Sequence, residues 1–290
     1  MTASLLCKIP CLLGEGGFWH PTRQSFFWVD IDGKSLHEYN FLDKKVKSWS
    51  FPDRPSMIAL DKQDQLVLVF QSGVAQFDLQ TEKLNWLVDI EKDIPDNRTN
   101  DGGVDICGRL WIGTMNVKFK EGAGSLYCVD DDLSITKKIQ SLAIPNGLVW
   151  SLDNQTMYHI DSPTRKVRAY RFDSKTGSIE FEKVAITVPE ELGSPDGMCI
   201  DEEGMLWIAH WNGFGVYRWD PIRGILLDKI DVPVPQVSSC TFGGSNMDQL
   251  FITTAREGFS AAQSEKYPDS GSVFVAQPGV RGVKKNIFAY

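Results

Sequence analysis

From end to end the chain repeats one short pattern: a polar turn carrying Gly, Asp, Asn or Gln, followed by a run of β-branched and aromatic residues. The runs are SFFWVDI (25–31), QLVLVF (65–70), GRLWIGTM (108–115), QTMYHIDS (155–162), GMLWIAHW (204–211) and DQLFITTA (248–255). With Trp28, Val67, Trp111, Tyr158, Trp207 and Phe251 as equivalent positions, the successive differences are 39, 44, 47, 49 and 44 residues. A period of that size matches one four-stranded propeller blade. Shorter alternating runs, SLYCVD, VRAYRFD, GVYRWD and SVFVAQ, supply further strands of the same repeats. No long amphipathic helical pattern interrupts them, which excludes α/β barrels and Rossmann folds. Two stacked β-sandwiches would not produce so regular a period. The pattern therefore predicts an all-β, six-bladed β-propeller occupying residues 1–290 as one domain. The N-terminal SLLCKI has no partner in the first repeat and is expected to add an outer strand to the last blade.

In a propeller the innermost strand of every blade lines the central channel, so equivalent residues at the starts of those strands converge. The segments ahead of the six runs are LGEGGFW, RPSMIAL, RTNDGGVD, IPNGLVW, SPDGMCID and SSCTFGG. They offer Glu15, Ser56, Asn100 (or Asp101), Asn146, Asp196 and Ser239 to the axis. Counted forward to the equivalent positions above, these lie 13, 11, 11, 12, 11 and 12 residues away. Taken singly, all but Glu15 read as turn residues, and the Asp196-Gly197 pair is a strong turn signal. Taken together, two carboxylates and an amide oxygen facing one point form a hard-oxygen set suited to a divalent cation. Glu15, a poor turn former, is hard to explain otherwise.

Composition narrows the function. The 290 residues are 42% hydrophobic and 23% charged with a formal net charge of -8, and no block of Lys or Arg concentrates positive potential. Nucleic acid and anionic membrane are poor partners for such a chain. The start, MTASLLCKIPCLLGEGG, is interrupted by Lys8 and Pro10 and reads as an edge strand rather than a secretory leader. LVLVF is too short to span a bilayer. Six scattered cysteines without CxxC spacing and four isolated histidines argue against a local zinc motif. Reduced, mostly buried thiols in a cytoplasmic protein are expected.

LGEGGFW, NRTNDGGVDICGRLWIGTM, IPNGLVWSLDNQTMYHIDS, SPDGMCIDEEGMLWIAHWNGFGVYRWD and LFITTAREG resemble, in order, the motifs of the senescence marker protein-30/gluconolactonase (regucalcin-like) family of sugar lactonases. The resemblance runs from about residue 12 to about residue 275. It implies a six-bladed propeller with one catalytic divalent metal on the axis (Ca²⁺, Zn²⁺, Mn²⁺, Mg²⁺ or Fe²⁺), held by Glu15, Asn146 and Asp196. It places substrate contacts on Arg98 and Asn100 and general acid/base chemistry on Asp196. The chain departs from the family at Gly17, where Pro is usual, and after GTM, where some members carry an acidic substrate contact and this chain has Lys118. Lys118 or Glu121 could therefore shape a different pocket rim.

The implied reaction is metal-dependent hydrolysis of a small-molecule sugar lactone to its aldonic acid by a monomer or weak homodimer. A calcium-binding regulatory or recognition propeller and a phosphotriesterase-like ester hydrolase remain alternatives. A ligand set closed by Asp101 would favour a structural metal. Arg98 offers a planar fork to hydroxyls or a carboxylate, or else a surface ion pair with Asp96 or Asp101. Trp211 and Phe214 could stack on a sugar face, although packing is the plainer reading, and His210 reads as a core residue. Asp30-Ile31-Asp32-Gly33 resembles the opening of an EF-hand loop but lacks the rest of the motif, and so reads as a turn between two strands of the first blade.

Overall fold

The computed structural model describes residues 1–290. A first strand, β1 (Ser4–Cys7), precedes six groups of strands. The first blade holds β2 (Gly14–His20), β3 (Ser25–Asp30), β4 (Ser35–Asn40) and β5 (Lys45–Ser50). The second holds β6 (Pro55–Leu60), β7 (Leu66–Phe70), β8 (Gly73–Asp78) and β9 (Lys83–Asp89). The third holds β10 (Asn97–Val104), β11 (Leu110–Asn116), β12 (Gly124–Val129) and β13 (Ile135–Leu142). The fourth holds β14 (Pro145–Trp150), β15 (Thr156–Asp161), β16 (Lys166–Asp173) and β17 (Ser178–Thr187). The fifth holds β18 (Ser194–Ile200), β19 (Leu206–Trp211), β20 (Gly215–Asp220) and β21 (Ile225–Asp231). The sixth holds β22 (Val237–Gly243), β23 (Gln249–Thr254) and β24 (Val273–Ala276), with one short helix, α1 (Ala261–Lys266), before its last strand.

Each blade is a four-stranded antiparallel meander, and the six form the predicted propeller. The sixth is completed by β1, which pairs with β24 through Ser4↔Val275 and Leu5↔Phe274. SLLCKI thus takes the expected outer position. No helix is long and apolar enough to cross a membrane. All six cysteines are free, and only Cys107 is exposed.

Burial falls from the inside of each blade outward. The second strands, which carry the repeating apolar run, are buried along almost their whole length, whereas the fourth strands expose most of theirs, as in the KVKSWS of β5. The apolar core is divided into six clusters, one in each gap between neighbouring blades. Trp111 and Leu126 of the third blade, for example, meet Trp150 and Phe172 of the fourth. Burial of such side chains contributes roughly 1.5–3 kcal/mol each.

A buried aspartate organises the hairpin after the first strand in three blades. Asp201 accepts the backbone N–H groups of Glu203 (3.0 Å) and Met205 (2.9 Å), the Trp207 indole N–H (2.9 Å) and Arg218 Nε (2.9 Å). Asp105 repeats this with Cys107, Arg109 and the Trp111 indole N–H, and Asp61 with Gln63, Gln65 and Gln76. In the third and fifth blades the large aromatic anchor is thereby buried with its N–H satisfied. At the other end of the hairpin, Asp30 accepts the N–H groups of Leu12, Leu13 and Gly33, so the Asp30–Gly33 stretch is the turn between β3 and β4.

The inner strands share a further feature. β2, β6, β10, β14, β18 and β22 each carry one irregularity in register against the second strand, and in every case one extra residue is accommodated. A bulge bends the strand and re-aims its side chains. It falls at or beside Glu15, Ser56, Asn100, Asn146, Asp196 and Ser239.

Replacing Asp201 by Ala should leave the Trp207 indole N–H and two backbone N–H groups without their acceptor, reduce Arg218 to its bond with Glu203, and destabilise the fold by roughly 3–5 kcal/mol. Equilibrium urea unfolding measures this. A loss below about 1 kcal/mol would contradict the anchoring role.

Candidate active site

Asp196-Gly197 is not a turn between strands. Both residues lie inside β18, within its bulge, since Pro195 pairs with His210 and Met198 with Ile208. The glycine is required by crowding: a Cβ on Gly197 would lie 2.8 Å from the Ser239 Cβ and 2.9 Å from its Cα on β22. A Cβ on Gly147, the residue after Asn146, would lie 2.8 Å from the Asp196 carbonyl. Pro-Asn-Gly and Pro-Asp-Gly therefore mark places where neighbouring inner strands nearly touch beside the axis.

The bulges divide the channel into two cavities. The upper one, at the starts of the inner strands, has a volume of ≈ 270 Å³ and collects Glu15, Arg98, Asn100, Asn146 and Asp196, the five site residues expected from the sequence. The lower one, at the ends of the same strands, receives Asp101 and Ser239. Asn100 and Asp101 thus face opposite halves of the channel. Ser56 reaches neither and bonds Thr99 Oγ1 across the gap between blades at 2.7 Å.

Hydrogen bonds fix the upper group in a relay across three blades. Arg98 Nη1 donates to the Thr99 carbonyl (3.0 Å) and to Asn100 Oδ1 (2.6 Å). Asn100 Nδ2 donates to the Pro145 carbonyl and to Asn146 Oδ1, both at 2.9 Å. Asn146 Nδ2 donates to Ser162 Oγ (2.8 Å), which in turn donates to the Pro195 carbonyl (2.6 Å). The last acceptor belongs to the residue just before Asp196. Each amide has its orientation set by its neighbour, and Asn146 Oδ1 is turned away from Ser162.

Glu15 and Asp196 are each only 7% exposed. Burial, and then the negative charge of Asp101, push Glu15 up to about 8, against the pull of the Gly16 N–H and Arg98. Burial and the charges of Glu15 and Asp101 likewise hold Asp196 well above the usual carboxylate range, with Arg98 opposing. Gly16 N–H is the one protein donor to the Glu15 carboxylate, at 3.2 Å, and no protein donor reaches that of Asp196. Two buried carboxylates without a paired cation, beside an oriented amide oxygen, fit a divalent metal of hard-oxygen preference. Asp101, on the other side of the bulge, does not join them.

Arg98 forms no surface ion pair: Asp96 is taken by Lys118 at 2.9 Å, and Asp101 accepts the Gly102 N–H at 2.7 Å. The upper rim after GTM is formed by Met115 and Phe119, not by Lys118 or Glu121. Trp211 lines the cavity, whereas Phe214 lies outside it and packs edge-on against Tyr267. His210 is wholly buried, with Nδ1 against the Leu192 carbonyl at 2.9 Å and its ring stacked on Tyr217. Ser162 and Glu257, which also line the cavity, were not singled out, although both lie inside conspicuous motifs, QTMYHIDS and LFITTAREG.

The model of the SMP-30/gluconolactonase/LRE-like region matches residues 13–256. Regucalcin of Xenopus laevis is 33% identical, over 97% of this chain and 98% of the relative. Among solved structures, regucalcin of Agrobacterium tumefaciens, described as a calcium-binding protein, superposes with a TM-score of 0.95 at 29% identity, covering 100% of this chain and 98% of that one. A luciferin-regenerating enzyme superposes with a TM-score of 0.91 at 32% identity, covering 97% and 96%.

The raised carboxylates give a pH signature in protein kept free of divalent cations. The folded state holds the Glu15 proton more tightly than the unfolded state does. Stability should therefore be greatest below the ordinary value of 4.5 and fall as pH rises to about 8. Thermal melts in chelator across this range should show a shallower fall for Glu15→Gln, and an unchanged slope would contradict the assignment.

Proposed function

The chain belongs to the SMP-30/gluconolactonase/LRE-like family, and we propose that its upper axial cavity hydrolyses a sugar lactone to the hydroxy acid with the help of one divalent cation. The observation that carries this reading is the convergence of Glu15 and Asp196, two buried carboxylates without protein counter-cations, on the cavity shared with Asn146, Asn100 and Arg98.

Glu15, Asn146 and Asp196 would hold the cation, whose chemistry when bound is Lewis-acid polarisation of an acyl oxygen and acidification of water. The donors are all oxygen, which favours Ca²⁺, Mg²⁺ or Mn²⁺ over Zn²⁺ or Fe²⁺. Three protein donors leave positions open for substrate and water, the arrangement of a catalytic rather than a structural site. The position of Asp101 in the lower cavity supports this count.

Asp196 is the proton carrier. Its carboxylate accepts a proton from the attacking water and returns it to the ring oxygen as the acyl C–O bond breaks, so water adds across that bond. With a cation held beside it, the Asp196 carboxylate would lose its proton more readily than burial alone allows, as a base working at neutral pH requires. Arg98 spends Nη1 on Thr99 and Asn100 and keeps the rest of its fork for a substrate hydroxyl or the new carboxylate. Asn100 holds Arg98 and Asn146 in register and retains a lone pair on Oδ1 for a substrate hydroxyl. Trp211, Met115 and Phe119 offer apolar contact to the C–H face of the ring.

Calcium binding, the property stated of the Agrobacterium protein, is the second reading, and the same donors would serve it. The six unbridged cysteines suit a reducing compartment such as the cytoplasm.

A panel of pentono- and hexonolactones, assayed by acid release on protein stripped of metal and refilled with single ions, tests the proposal. Activity should vanish on stripping and return with one or more ions; equal rates before and after refilling would sink the metal mechanism. Asp196→Asn should lower kcat by about 10³-fold with the far-ultraviolet spectrum preserved. Turnover close to wild type would remove Asp196 from the chemistry.

A further inference from the structure

The lower end of the axial channel is crossed by a C-terminal strap, residues 280–290, that touches five of the six blades. Gly282 N–H donates to the Met247 carbonyl of the sixth blade (2.8 Å) and Val283 N–H to Ile200 of the fifth (3.3 Å). Phe288 N–H donates to Leu60 of the second blade and Ala289 N–H to Gly108 of the third, both at 2.8 Å. Phe288 is fully buried in the cluster between those two blades. Between these anchors Lys285 enters the lower cavity, and its Nζ donates to the Gly17 carbonyl of the first blade at 2.8 Å.

Gly17 belongs to the bulge that aims Glu15. Gly16 has φ +60° and holds the Glu15 carboxylate through its N–H. Side chains are shut out of this stretch, since a Cβ on Gly16 would lie 2.9 Å from the Ser56 carbonyl and one on Gly17 would lie 3.2 Å from the Phe26 ring. Two adjacent glycines are the most freely jointed backbone a chain can have. Left alone, they would let the Glu15 carboxylate wander from the point where it meets Asn146 and Asp196. The Lys285 ammonium fixes the far side of that pair, and the strap fixes Lys285.

We infer that Lys285 is a positioning residue for the cation site: it clamps the Gly16–Gly17 bulge from below and thereby presets Glu15 for a divalent cation in the upper cavity. The inference rests on the reading of that cavity as a cation site. Lys285 touches neither substrate nor cation. Its charge alone would weaken cation binding, so clamping and simple electrostatics predict opposite effects when it is removed.

Calorimetric titration of Ca²⁺ and Mn²⁺ into wild type, Lys285→Met and Lys285→Arg separates them. Loss of a partner that orients a ligand weakens metal affinity by about 10- to 100-fold. Lys285→Met should therefore bind at least about tenfold more weakly, and Lys285→Arg, which keeps donor and charge, should stay within about threefold of wild type. In cation-free protein, amide hydrogen exchange over residues 14–18 should speed up in Lys285→Met alone. A Lys285→Met protein that binds as tightly as wild type or more tightly overturns the clamp. So does one whose melting temperature falls while its affinity and exchange stay unchanged. Wild-type protein that takes up neither ion overturns the cation reading itself, and this inference with it.

Discussion

Each blade can hide its apolar faces only against the two blades beside it, and this constraint governs the rest of the molecule. The core is consequently spread through six gaps and the upper end of the axial channel is left largely to polar residues. With apolar packing completed elsewhere, Glu15 and Asp196 can face the axis without displacing any part of a core. The inner strands still have to approach closely there, which accounts for the glycines beside Glu15, Asn146 and Asp196 and for the bulges that turn these side chains toward one point.

The same closeness shapes the electrostatics. Carboxylates from the first and fifth blades, remote in sequence, feel each other in a space poor in water, and their pKa values rise. Arg98 is the cation nearest to hand, but burial disfavours its own charge and its Nη1 is already committed to Thr99 and Asn100. The relay from Arg98 through Asn100 and Asn146 to Ser162 spends its hydrogen bonds on orientation rather than on neutralising the carboxylates. The two carboxylates are therefore left to take up either protons or a cation, and this unmet demand for positive charge is the physical basis of the cation reading.

Much of this was legible in the sequence because the second strands are apolar on both faces and so stand out as uninterrupted runs. Their spacing gave the blade number, and the register of what precedes them brought Glu15, Asn146 and Asp196 into correspondence. The bulge itself was not legible. An Asp-Gly pair favours a turn in isolation, and only the backbone of β22 lying against Gly197 reveals the other reason for glycine. For a similar reason Asn100 and Asp101 could not be separated, since the extra residue between paired positions decides which of them faces up. The strap escaped notice because its residues have no periodicity: they follow the floor of the ring and no sheet. Nothing in the sequence sets Asp61, Asp105 and Asp201 apart from other aspartates near turns; the role of the last two comes from their indole partners, which only the fold brings to them.

The pairing of β1 with β24 joins Ser4 to Val275, nearly the full length of the chain apart. Contacts of such sequence separation are slow to form, because the entropy of closing the loop is lost before the contact rewards it. During synthesis the first strand leaves the ribosome long before its partner exists, and Glu15, just behind it, waits for Asp196 and then for the sixth blade. The ring cannot close vectorially, one blade locking after another. Its last joint ties an early segment to a late one, so an unfinished chain would carry the axial carboxylates without the enclosure that raises their proton affinity.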